Sequence, residues 1–267
     1  MKTERLSPAL GLRVDGLDLH ASSEDLVAAL RAELLDHHVL VISKQSFGAE
    51  ELQAFGQQWG TLLTHPSGMN RSSPYVQTLA SKHGGVGRGY GAWHSDMTWH
   101  PTPPSITMLH GRVCPDWGGD TGYANQVKAW QALDTASQNK GRSFRRELVG
   151  QADLIGLHAL HSGKQFGEGV PESVHPVVRT HDESDKQALY VNPEFTLHIE
   201  NVDEATSNRL LWPLWMHATN MEFVYRHRWT QGDLVIWDNR AVMHTAIRDY
   251  ETERLMQRVV VAGPVPA

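Results

Sequence analysis

Cysteine is almost absent from this 267-residue chain: Cys114 stands alone, so no disulfide can form within it, and nothing favours an oxidising compartment. Long apolar runs are missing too, which excludes an ordinary membrane-spanning helix, and the opening Met1-Lys2-Thr3-Glu4-Arg5 lacks the apolar core of a signal peptide. Positive charge is not in surplus. With 24 Lys and Arg against 30 Asp and Glu, the net charge of −6 ill suits a protein whose main partner is a nucleic acid backbone. There is neither an internal repeat nor a low-complexity tract. The expectation is a cytoplasmic protein with no nucleic acid and no membrane as partner.

Apolar residues, by contrast, make up 40% of the chain and include nine Trp, enough to fill a core, and the length suits one β-rich domain over residues 1–267. Ser22-Ser23-Glu24-Asp25 reads as a helix start, with Leu26, Val27, Leu30 and Leu34 at helical spacing, followed by the strand-like Val39-Leu40-Val41-Ile42. A second helix is expected from near Ser46, where Leu52, Phe55 and Trp59 share a face before Gly60. Helical stretches are also expected at 126–133 and 205–217, the latter kinked at Pro213. Strands are expected at 105–114, 174–179, 188–192, 222–229, 233–238 and 255–262. Between His65 and Gly91 the chain turns polar and Gly-rich, which reads as a loop, and its place before His94 suggests a mobile lid at 64–91. The fold class is mainly β with flanking helices.

His94-Ser95-Asp96 places an imidazole and a carboxylate two residues apart, so on an extended segment both point the same way and can share one metal ion. His244, just after Trp237-Asp238-Asn239-Arg240, is the candidate for a third ligand from another strand. Two imidazoles and one carboxylate can cover one face of a ferrous ion and leave positions open for O₂; the same set also suits a catalytic zinc. With 16 histidines present, a hydrogen-bonded turn pair for His94 and Asp96 and a core imidazole for His244 are the plain alternatives.

Several motifs in one order resemble the TauD/TfdA family of Fe(II)- and 2-oxoglutarate-dependent dioxygenases. They are Trp93-His94-Ser95-Asp96, Gly118-Gly119-Asp120-Thr121, Leu189-Tyr190-Val191-Asn192, Arg226-His227-Arg228-Trp229, Gly232-Asp233-Leu234, and Trp237-Asp238-Asn239-Arg240 followed by His244. The resemblance implies a double-stranded β-helix, a cupin-like jelly roll, with Fe(II) on His94, Asp96 and His244, and 2-oxoglutarate and O₂ as cosubstrates. It implies further that Thr121 and Arg254 hold the far carboxylate of 2-oxoglutarate, as a planar guanidinium and a hydroxyl are suited to do. Arg258, four residues on and on the same strand face, is expected to bind an anion of substrate or cosubstrate.

On the substrate side, His65 matches a position that contacts the sulfonate in taurine-specific members, and Phe195 an aromatic wall. Gly68 and Tyr90 depart from the tyrosine and asparagine of those members, which puts taurine in doubt while keeping Tyr90 at the substrate position. The expected substrate is a small organic anion: a sulfonate, sulfate ester, phosphonate or carboxylate, hydroxylated with or without cleavage of a carbon–heteroatom bond. A homo-oligomer is possible by analogy with relatives. A Zn-dependent hydrolase on the same barrel and a non-catalytic anion-binding module are the alternatives.

Overall fold

The computed structural model of the chain describes residues 2–66, 70, 73–82, 84–85, 91–138 and 150–267. The strands are β1 (Lys2–Arg5), β2 (Leu12–Asp15), β3 (Val39–Ile42), β4 (Leu62–Leu63), β5 (Gln77–Ser81), β6 (Ile106–Val113), β7 (Thr121–Asn125) and β8 (His158–Ser162). They continue as β9 (Glu172–Pro176), β10 (Val178–Thr180), β11 (Gln187–Leu189), β12 (Thr196–Ile199), β13 (Val224–His227), β14 (Leu234–Asp238), β15 (Val242–Ala246) and β16 (Arg254–Val261). The helices are α1 (Glu24–His37), α2 (Ala49–Gln57), α3 (Gln126–Gln138) and α4 (Glu204–Ala218).

Local chemistry sets the ends of α1. The Ser23 hydroxyl accepts from the Leu26 N–H, Glu24 and Asp25 favour the positive end of the helix dipole, and His38 turns into the left-handed region to stop it. Its buried stripe of Val27, Leu30 and Leu34 lies on the large sheet, and each such side chain contributes about 1.5–3 kcal/mol of burial.

The large sheet runs β1-β2-β3-β14-β6-β16-β4, with β5 added on β16; among the described residues only the β2–β3 pair is parallel. Its central strands are buried on both faces, as near-continuous apolar runs require. Leu40, Ile42, Leu234 and Ile236 point to α1 and α2, whereas Val39, Val41, Val235 and Trp237 point the other way, against Tyr123 and Val242 of a smaller sheet. That smaller sheet has the order β13-β7-β15, and its outer residues Ala124 and Met243 pack in a core with residues of α3 and α4. Between the two sheets, the inner faces of β6, β7, β15 and β16 carry the buried polar side chains Thr107, Thr121, His244, Arg254 and Arg258.

The expected elements are corrected in several places. Gln77–Ser81 is a strand and not loop, paired along its length with β16 from Ser81 opposite Arg254 to Gln77 opposite Arg258. Within the expected lid at 64–91, residues 67–69, 71–72, 83 and 86–90 lie outside the described residues. The strand expected at 174–179 is broken between β9 and β10, the one at 188–192 stops at Leu189, and 222–229 opens with a 3₁₀ turn before β13. Helix α4 spans Pro213 as one element, in keeping with the single helix expected at 205–217. Strands β8 and β12 had no clear alternation to announce them.

Two buried histidines away from the metal ligands tie stability to pH. Burial pushes His38 down to about 4, against a partial counterpull from Asp238, and burial followed by the neighbouring His175 pushes His161 down to about 3. Both folded values lie below the ordinary one, so the unfolded chain takes up protons first as pH falls. Their contribution is complete above about pH 6.5 and is lost as pH falls toward 4, by up to about 1.4 kcal/mol per pH unit for each. The urea midpoint of the metal-free protein is expected to drop between pH 7 and pH 5.5; an unchanged midpoint would contradict burial of neutral imidazoles.

Candidate metal centre and anion pocket

His94 and His244 face each other through an isolated antiparallel bridge, in which His94 N–H donates to the His244 carbonyl at 3.0 Å and His244 N–H to the His94 carbonyl at 2.7 Å. Their rings lie 4.3 Å apart. Asp96 follows on a turn rather than on a strand, which corrects the expectation of an extended His-x-Asp, and the turn passes through Met97 at φ 51°. The side chains converge all the same. Each Nε2 lies 3.8 Å from Asp96 Oδ1, and one ligand atom from each of the three residues lies within 4.8 Å of the others.

This donor set fits a metal. Bonds of about 2.1 Å at right angles put neighbouring donors about 3 Å apart, so small shifts bring all three onto one ion. The tautomer of His94 is set for it, because Nδ1–H donates to the Ala92 carbonyl at 2.9 Å and leaves the Nε2 lone pair free. Burial followed by the neighbouring His94 pushes His244 down to about 3, so its imidazole is neutral at pH 7 and also offers a lone pair. Its Nδ1 has no partner among the described residues.

Asp96 is held as an acceptor on both oxygens. Thr107 Oγ1 donates to Oδ2 at 2.8 Å, and Arg258 Nη1 donates to Oδ1 at 2.6 Å. Burial alone would raise this carboxyl, yet Arg258, then His244, His94 and the Thr107 hydroxyl, hold it well below the usual carboxylate range. Arg258 is therefore engaged with the metal-facing oxygen and not free, a detail its expected role as an anion binder did not include.

Arg254 lies one diagonal along the same face of β16 and has a different environment. No carboxylate pairs with it among the described residues, its Nε is buried without an acceptor, and the Trp229 and Tyr250 rings stand 5.9 and 6.0 Å from its guanidinium carbon. Burial lowers its pKa, the sign of a cation held in a site without its counter-charge. A cavity of about 480 Å³ opens beside it, lined by Leu79, Ser81, Ala246 and Tyr250 among others. Thr121 adjoins the same aromatic wall, since Trp229 Nε1 donates to its hydroxyl at 2.9 Å. The preceding turn needs glycine: Gly118 sits at φ 73°, where a Cβ would lie 2.6 Å from the Asp249 carbonyl. Gly119 N–H donates to Asp249 Oδ1 at 2.8 Å, which anchors the turn that delivers Thr121.

The residues expected to touch substrate divide. Phe195 is buried with its ring edge-on to His94 at 5.6 Å. His65 is buried, pairs with Gln77 at 3.1 Å, and meets Phe166, which in turn meets Phe195 at 6.1 Å. Tyr90 lies outside the described residues. Sequence reasoning missed Thr107, Phe166 and the side-chain role of Asn239. A lone threonine between Ile106 and Met108 was the available hint for the first, and the fixed motif around Asn239 for the last.

A family described as "Taurine catabolism dioxygenase TauD, TfdA family" matches residues 2–260. An alpha-ketoglutarate-dependent sulfate ester dioxygenase of Pseudomonas putida is 32% identical over 96% of this chain and 88% of its own length. Among solved structures, a taurine dioxygenase from Burkholderia xenovorans is 30% identical with a TM-score of 0.85, covering 100% of this chain and 92% of that one. AAD-2, solved in complex with Mn(II) and N-oxalylglycine, is 26% identical with a TM-score of 0.80, covering 99% and 98%.

Titration of the metal-free protein with Co(II) is expected to show one site, with affinity lost at least 100-fold in His94→Ala and in His244→Ala. Wild-type affinity in either variant would remove that histidine from the centre.

Proposed function

The chain belongs to the TauD, TfdA family, and from that membership we propose that it is an Fe(II)- and 2-oxoglutarate-dependent dioxygenase that hydroxylates a small organic anion. The observation that carries the reading is the pairing of a two-histidine, one-carboxylate cluster with an uncompensated buried arginine on the neighbouring strand face. A double-stranded β-helix is part of the proposal, supported by the two sheets, antiparallel but for the β2–β3 pair, that face each other across the site.

Iron, once bound with 2-oxoglutarate and O₂, supplies oxidative decarboxylation to succinate and CO₂ coupled to insertion of one oxygen into a substrate C–H bond. The protein's own groups hold and orient. His94, Asp96 and His244 provide one face of ligands, with Ala92 and Thr107 fixing two of them from behind. Arg254 and Thr121 take the far carboxylate of 2-oxoglutarate, which supplies the counter-charge the guanidinium lacks. Arg258, opposite Gln77 in the β5–β16 register, donates one N–H to the metal ligand Asp96, and its remaining N–H groups are assigned to an anion of the substrate or cosubstrate. Phe195, with His65 and Phe166 beyond it, walls the substrate side and excludes water.

The substrate class is a sulfonate, sulfate ester, phosphonate or carboxylate, supported by the relative that acts on sulfate esters. A cytoplasmic location belongs to the same reading and rests on the single cysteine. A Zn-dependent hydrolase would give Arg254 and Thr121 no work, whereas a passive anion-binding module would keep the pocket without metal turnover.

The test is aerobic incubation of the Fe(II)-loaded protein with 2-oxoglutarate and a panel of those four anion classes, reading O₂ consumption and succinate. Succinate formed in step with O₂ consumption, and stimulated by at least one anion, is expected; turnover of an ester without O₂ would favour the hydrolase. Arg254→Ala is expected to raise the KM for 2-oxoglutarate at least tenfold while leaving Co(II) affinity within threefold.

A further inference from the structure

The loop between β14 and β15 carries Asn239, whose side chain is fully buried and reaches across to the peptide of the metal ligand Asp96. Its Oδ1 accepts from the Asp96 N–H at 2.7 Å, and its Nδ2 donates to the Asp96 carbonyl at 3.0 Å and to the Pro104 carbonyl, also at 3.0 Å. One amide thus satisfies both backbone groups of a single residue, and both protons of its NH₂ are used. The amide itself is held. Asn239 N–H donates to the Ser105 carbonyl at 2.9 Å, and the preceding Asp238 N–H to the His38 carbonyl at 3.0 Å.

The turn that Asn239 grips is strained. Met97, the next residue after Asp96, has φ 51°, in the left-handed region that a side chain such as methionine rarely adopts, and such a conformation persists only where neighbouring structure enforces it. A bond to the Asp96 carbonyl fixes the peptide plane that leads into Met97. On the other side of the ligand, Ser95 Oγ donates to the Val242 carbonyl at 2.9 Å, so the first residue of β15 holds the turn at a second point.

We infer that Asn239 is a positioning residue for the metal centre: its amide sets the backbone of Asp96, and so aims the carboxylate at the two imidazoles. It touches neither the metal position nor substrate. The role is distinct from that of Thr107 and Arg258, which hold the carboxylate oxygens, because Asn239 acts one link earlier, on the main chain. Direct partners of metal ligands typically carry 10–100-fold in metal affinity, and a backbone clamp on the sole carboxylate ligand belongs in that range.

The inference rests on the metal-site reading, and the experiment separates the two. Metal-free wild type, Asn239→Ala and Asn125→Ala are titrated with Co(II), with d–d absorption recorded. Asn125 is a buried asparagine that holds the Ala9 carbonyl and the Lys128 N–H, so its loss is a structural control of similar kind. The expected result is a 10–100-fold weaker Co(II) affinity and a changed band shape in Asn239→Ala, with Asn125→Ala within threefold of wild type. Equal affinity in Asn239→Ala and wild type overturns the positioning role, as does an equal loss in Asn125→Ala. Failure of wild type to bind Co(II) would instead defeat the metal-site reading itself.

A second measurement needs no variant: hydrogen–deuterium exchange of the metal-free wild type, in which the Asp96 amide is expected to be as protected as amides of β14. Exchange at the rate of an exposed loop would show that the clamp is not made.

Discussion

The reciprocal backbone hydrogen bonds between His94 and His244, 3.0 and 2.7 Å long, join the segment entering the site to β15, and the rest of the centre is arranged around that pair. A bridge of this kind fixes two Cα atoms opposite each other and so sets two side chains side by side. Here those side chains are both imidazoles. Once they are paired, the turn that begins at Asp96 brings a carboxylate to them, and the chain leaves through the left-handed Met97. The large sheet supplies the other half. Thr107 on β6 and Arg258 on β16 hold the two oxygens of Asp96, so the centre lies where the two sheets face each other.

The electrostatics of that interface are graded along one strand. On the inner face of β16, Arg258 has a carboxylate partner within 2.6 Å, whereas Arg254 has none among the described residues. A buried guanidinium without a counter-ion is costly, and an anion that enters recovers that cost on binding. The asymmetry is one of partners: Arg258 stabilises a resident carboxylate, and Arg254 is the arginine to which we assign the carboxylate of 2-oxoglutarate as a proposal. Phe195 and Phe166 form an apolar wall beside His94.

How much of this was legible depended on distance along the chain. The two-residue spacing of His94 and Asp96 marked both donors, although the structure achieves their convergence with a bridge and a turn instead of a strand. Strands were expected where β6, β14 and β16 lie, and each is largely buried, whereas the alternation read at 222–229 yields only the shorter β13 after a 3₁₀ turn. Strand β5 was hidden, since Gln77–Ser81 is largely polar and draws its order from pairing with β16. Asn239 stood in a recognisable motif, yet its role depends on Asp96, which lies 143 residues earlier, and nothing local in the sequence expresses that contact. Arg258 was read correctly as inward-facing, while its partner, 162 residues away, had to be seen.

The central claim is that one ion is held jointly by His94, Asp96 and His244. Crystals soaked anaerobically with Mn(II) and measured at a wavelength where manganese scatters anomalously test it directly. The account predicts a single strong anomalous peak about 2.2 Å from Nε2 of both histidines and from an Asp96 oxygen. A peak at another group of residues, or none between the two imidazoles at saturating metal, would contradict it.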